Sequence, residues 1–140
     1  MTTPQTHAVR AIGWVRSPLR RLADAPKQGH EGAPDADLQI EPAFLGGLDG
    51  LKAGQDILIL TWLHQARRDV LAVHPRDDLA RPLTGVFATR SPDRPNPIGL
   101  HRVKLLAIGD GGLLQVQGLE AIDGTPVIDI KPVLSRSEGG

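Results

Sequence analysis

The sequence predicts a mainly β fold, a small closed or nearly closed barrel-like domain with little helix, and three observations carry that prediction. Short apolar or alternating runs recur along the chain, and Gly and Pro clusters separate them. No long window combines a 3.6-residue apolar period with caps at both ends. Closure into a barrel also removes the exposed sheet edges that an open sheet would leave. At 140 residues the chain suits one core, so residues 1–140 read as a single domain whose last few residues, SEGG, fray.

The strand expectations, in order, are residues 8–15, 56–63, 83–88, 100–108, 113–119 and 126–130. QDILILTWL is rich enough in Ile and Leu to be buried on both faces. GLHRVKLLAI alternates, turns at GDGG and is followed by the alternating LLQVQGLEAI, so these two read as a hairpin. Pro126 suits the start of a strand, where a missing amide donor is tolerated. EPAFLGGLDGL allows one short helix. Two long connections, 16–37 and the ATRSPDRPNPIG segment, are candidate functional loops presented by a rigid scaffold.

With aromatic residues at 3%, the core falls to Leu, Ile, Val and Ala, and base stacking has only Trp14, Phe44, Trp62 and Phe87 to draw on. Sixteen basic and sixteen acidic residues give no net field to draw in a polyanion. The charge is uneven, however: Arg10, Arg16, Arg20, Arg21 and Lys27 face Asp24 alone in the first part, which is either a basic patch or a solvated loop. No cysteine is present, which excludes disulfides, thiolate zinc sites and a cysteine nucleophile. The N-terminus lacks a signal-peptide pattern, and no apolar run approaches the roughly 20 residues that cross a bilayer, so a cytoplasmic, non-membrane protein is expected. His7, His30, His64, His74 and His101 show no metal-ligand spacing, and no metal is expected. The Rossmann, P-loop, HExxH and GxSxG signatures are missing.

Three stretches remain as carriers of chemistry. In TRSPDRPNPIGL, Pro92, Pro95 and Pro97 stiffen the backbone, so Arg90 and Arg94 sit on a framework that loses little entropy on binding an anion. A rigid turn with solvent-facing arginines is the competing reading. In EAIDGTPVIDIKP, Asp-Gly and Thr-Pro signal a turn, and Asp129 and Lys131 share one strand face, away from Ile128 and Ile130. That face is either a ligand wall or the wet exterior. In LHQ, at the end of an apolar strand, His64 and Gln65 can offer polar groups at a barrel mouth.

These stretches, together with IGWVRSPL and PKQG, resemble the TrmO/TsaA-like family over nearly the whole chain, most specifically in GVFATRSPDRPNPIGL and DGTPVIDIKP. The resemblance implies an S-adenosylmethionine (SAM)-dependent methyltransferase built on a β-barrel domain, a homodimer, acting on N6 of N6-threonylcarbamoyladenosine next to the anticodon of tRNA. It implies SAM contacts from Pro26, Lys27 and Gln28, from His64 and Gln65, from Arg90 and Leu100, and from Asp123, Gly124, Thr125 and Pro126. The chain departs from the family where Lys27 replaces an arginine and where the sequence after Pro132 lacks the usual Tyr.

Methyl transfer to a urea-like nitrogen calls for a proton acceptor, for which Asp129 and His64 are the candidates by residue type. Arg94 and Lys131 are expected to receive the substrate's carboxylate or a phosphate. Methylation of a small molecule in the same pocket, and SAM binding without transfer, are the alternatives.

Overall fold

The computed structural model describes residues 4–18 and 35–134. Six strands close into an antiparallel barrel in the order β1-β2-β7-β6-β3-β8: β1 (Gly13–Arg16), β2 (Ala36–Ile40), β3 (Asp56–Trp62), β6 (Ile98–Ile108), β7 (Leu113–Gln117) and β8 (Pro126–Pro132). The two remaining strands among the described residues, β4 (Ala72–Val73) and β5 (Thr84–Gly85), form a separate ribbon outside the barrel.

Strand parity places the core. On β3 the inward side chains are Ile57, Ile59 and Thr61; on β6 they are Gly99, His101, Val103 and Leu105. With Val15, Leu38, Leu114, Val116, Leu119 and Val127 the aliphatic ones fill the interior. Each such side chain contributes about 1.5–3 kcal/mol by leaving water. The expectation of an aliphatic core holds, and Phe87 is left 82% exposed. A 3-10 helix at Pro42–Leu48 follows β2 and packs Phe44, Leu45 and Leu48 against one end of the core. Gly112 at φ 84° allows this plug to approach, because a Cβ there would lie 2.4 Å from Leu45 Cδ2.

The β6–β7 hairpin forms as the alternation predicts. Residues 83–88 do not form the expected strand: only Thr84 and Gly85 pair, and a 3-10 turn at Val86–Ala88 follows. Val86 is the one buried residue of that turn, so the run has no apolar face to keep it extended. The chain also returns into the barrel earlier than expected, since Ala36, Leu38 and Ile40 alternate inward as β2 within and just after what reads as a long loop. On β8 the register against β3 shifts between Leu60 and Thr61, leaving Ile128 as an extra residue between the Leu60–Asp129 and Thr61–Val127 pairs. Asp129 and Lys131 therefore share a face as expected, but Val127 rather than Ile128 joins Ile130 at the core.

Candidate functional site

At the end of the barrel away from the plug, a cavity of about 740 Å³ opens between the strand ends and the loops, a size typical of small-molecule sites. Its walls come from residues 63–65 after β3, 73–77 and Arg81 around the outer ribbon, 88–94, the first part of β6 and 120–122 with Thr125. Leu63, Val73, Ile98, Leu100 and Ile122 supply apolar wall, and charged groups of both signs stand among them.

The Pro-rich loop is fastened to the segment after β3 by a series of bonds. Arg68 donates from Nε to the Pro95 carbonyl at 2.7 Å and from Nη2 to Asn96 Oδ1 at 3.1 Å, while its guanidinium lies 5.1 Å above the Trp62 ring. The amide of Arg67 donates to Asp93 Oδ1, the amide of Arg94 to the Arg67 carbonyl and the amide of Leu63 to the Pro97 carbonyl. Arg94 turns back on its own loop, donating to the carbonyls of Thr89 and Val86. Arg90 in contrast is exposed and has no partner among the described residues. Arg76 and Asp77 sit on the wall with φ of 54° and 58°, a conformation that costs non-glycine residues of order 1–3 kcal/mol. Beside the site, the hydrogen bond from Arg67 holds the Asp69 carboxyl below the usual carboxylate range, and that same bond raises Arg67.

The cavity thus brings together His64, Gln65, Arg90, Arg94, Leu100 and Thr125 from four separate places in the sequence. Thr125 is buried and donates from Oγ1 to the Ile122 carbonyl at 2.7 Å, and Gly124, at φ 83°, makes the tight DGTP turn that presents it. Asp123 faces away and accepts the Ser17 amide on Oδ1 at 3.0 Å, while Pro126 opens β8. Asp129 and Lys131 are paired with each other at 3.4 Å on the outer wall of β8 and do not line the cavity. Pro26, Lys27 and Gln28 lie outside the described residues.

Sequence reasoning passed over the most tightly organised group at the site. His101 is 5% exposed; its Nδ1 lies 2.6 Å from Glu120 Oε1 and its Nε2 lies 2.7 Å from Thr61 Oγ1. The inward parity of His101 with Val103 and Leu105 was the available signal, since a histidine on the core face of a strand needs partners. Nothing in the sequence marks Glu120 as its partner. Among the described residues no group of three His, Asp or Glu side chains is arranged to hold a metal.

Residues 14–138 match the family described as tRNA-methyltransferase O N-terminal domain. The chain belongs to this family. A "probable S-adenosyl-L-methionine-binding protein" of Methanothermobacter thermautotrophicus is 48% identical over 124 residues, covering 89% of this chain and 88% of that protein. An "S-adenosyl-L-methionine-binding protein" of Archaeoglobus fulgidus is 41% identical, covering 88% of this chain and 86% of its own length. A crystal structure of TrmO superimposes with a TM-score of 0.75 at 34% identity over 99% of this chain, and TrmO from Pseudomonas aeruginosa with 0.74 at 32% over 97%. This chain spans 60% of either TrmO chain, so the TrmO-type barrel is the part they share.

Proposed function

We propose that this member of the family is a SAM-dependent methyltransferase acting on N6 of N6-threonylcarbamoyladenosine in tRNA. The observation that carries the reading is the convergence of His64, Gln65, Arg90, Leu100 and Thr125, scattered through the sequence, on one cavity. The residues fit the cofactor. Arg90, unpartnered among the described residues and permanently charged, suits a carboxylate; the Leu63, Ile98, Leu100 and Ile122 wall suits a flat heterocycle; Gln65 and Thr125 suit hydroxyl and amino groups. When bound, SAM supplies an already activated methyl group, which leaves the protein chiefly the task of alignment.

The chain's own residues perform that task in identifiable ways. The Arg68 clamp and the Arg94 back-bonds hold the Pro-rich loop in one shape, so the Arg90 guanidinium is presented from a stiff backbone. His64, exposed and without a partner among the described residues that would fix its tautomer, serves binding at the rim in this reading. Arg94 contributes its loop-holding bonds and a positive field, and the outer pair of Asp129 and Lys131 stands apart from the reacting centre. The tRNA partner and a homodimer belong to the same proposal, because two copies would pool the basic N-terminal stretches of a chain with no net charge.

Incubating the protein with SAM and tRNA that carries the threonylcarbamoyl modification, followed by nucleoside mass spectrometry, tests this directly. A gain of one methyl on that nucleoside is expected. Tight SAM binding by calorimetry with no methylated nucleoside would overturn the tRNA assignment, and absence of SAM binding would overturn the whole reading. Light scattering that reports a monomer would remove the homodimer.

A further inference from the structure

We propose that Glu120 is the proton acceptor of the cavity, with His101 and Thr61 as the positioning residues that hold and tune it. This rests on the methyl-transfer reading above, and it assigns the proton to a group that neither sequence pattern nor family likeness had pointed to.

The arrangement begins at a glycine. Gly99 pairs with Thr61 across β6 and β3, and both face inward. A Cβ on Gly99 would stand 2.4 Å from Thr61 Oγ1 and 2.6 Å from His101 Nε2, so only glycine leaves the imidazole room to lie over this position and reach the hydroxyl. Thr61 is fully buried, is not among the cavity-lining residues and has no other side-chain hydrogen bond among the described residues. His101 and Glu120 do line the cavity.

Donor and acceptor roles follow from chemistry. An ionised carboxylate only accepts, so Nδ1 of His101 carries the hydrogen toward Glu120. In the neutral ring Nε2 then has the lone pair, and Thr61 donates to it. The carboxylate therefore sets the tautomer, and the buried hydroxyl, donating to Nε2, reinforces it and orients the ring. Glu120 is partly exposed, with Oε1 committed to His101 and no partner for Oε2 among the described residues. No buried side-chain oxygen among the described residues lacks a partner, so Oε2 is accessible, on a residue that lines the cavity.

His101 backs this carboxylate with an imidazole of fixed tautomer. A proton acceptor gains from one, because the hydrogen bond from Nδ1 steadies the carboxylate and keeps Oε2 aimed outward. The step balances as follows. The acceptor's N–H bond breaks as its N–CH3 bond forms, the sulfur of the donor keeps the electron pair of the broken C–S bond, and the released proton goes to Glu120 Oε2. The carboxylate loses its negative charge as the sulfonium loses its positive one, so the cavity holds no uncompensated charge at either end of the step.

The test combines turnover with a measurement on the ligand-free protein. Nitrogen-15 spectra of the histidine rings should show His101 in the Nδ1–H form, and Thr61→Val, which removes the hydroxyl and keeps the shape, should erode that preference while Thr61→Ser preserves it. Glu120→Gln should lower kcat by about 100-fold or more, in line with loss of a general base, with SAM affinity by calorimetry within about threefold of wild type. Thr61→Val should lower kcat to a smaller extent and Thr61→Ser restore it. An Nε2–H tautomer in the wild type, full turnover by Glu120→Gln, or a Glu120→Gln defect confined to KM or SAM affinity would each overturn the proposal. A wild-type protein that binds SAM but methylates nothing would overturn the methyltransferase reading as well, which separates the two failures.

Discussion

Gly99 and Arg90 show how unevenly single positions carry this site. Gly99→Ala forces a methyl group into contact with Thr61 Oγ1 and His101 Nε2, and the strand ladder leaves the backbone little freedom to yield. Overpacking of this kind costs about 1–3 kcal/mol, to be read from chemical denaturation, and the histidine spectrum should change with it. Arg90→Ala should leave the melting temperature unaltered, since the side chain is exposed and bonds to nothing among the described residues, yet weaken SAM binding by roughly ten- to a hundredfold, as loss of a charged hydrogen bond does. Arg90 was legible in the sequence because a family motif points to it. His101 and Glu120 were not, because their association depends on a β6 side chain meeting a residue beyond β7, a long-range contact that neither periodicity nor spacing encodes.

Among the elements, the Pro-rich loop reads from sequence as stiffened by its prolines, and the structure adds side-chain bonds that restrain it as well. Arg68, which the sequence did not single out, ties the loop's end to the segment after β3 and stacks on Trp62. Arg68→Ala should speed amide exchange through residues 89–97 and weaken SAM binding while the barrel strands keep their protection. Nearby, Asp69 titrates below the ordinary carboxylate range because Arg67 donates to it. A lowered folded value means the bond's small contribution is present above the ordinary carboxylate range and disappears as pH falls through the folded value. A carbon-13 titration of Asp69 should therefore move upward in Arg67→Met; an unmoved titration would show that Arg67 does not set it. The strand at 83–88 and the second strand were misjudged for complementary reasons. The first has apolar residues without a consistent face, whereas Ala36, Leu38 and Ile40 have a consistent face in a run too short to stand out beside a loop rich in Gly and Pro.

Across the molecule, the barrel, its aliphatic filling and the hairpin were all legible, since alternation and turn chemistry are local signals that agree with the global fold. Strand order was not, because antiparallel pairing fixes neighbours only where a short turn joins them. The closed sheet has a weaker seam where β1 meets β8 over two paired positions, Gly13 with Val127 and Trp14 with Pro126, against seven along β3 and β6. Amides at that seam, such as Ile12 and Val15, should exchange before those of Ile57 and Ile59.

The additional residue in β8 carries a further implication, one of length rather than of chemistry. Ile128 is surplus to the ladder: it lies between two pairs, Leu60 with Asp129 and Thr61 with Val127, that are consecutive on β3. Excising it would let Asp129 follow Val127 in an unbroken ladder with both pairs kept, Leu60 with Asp129 and Thr61 with Val127, so Thr125 would hold its place on the cavity wall. A chain shortened by that one residue is expected to keep both its barrel and its ligand, as circular dichroism and calorimetry on the same sample would show.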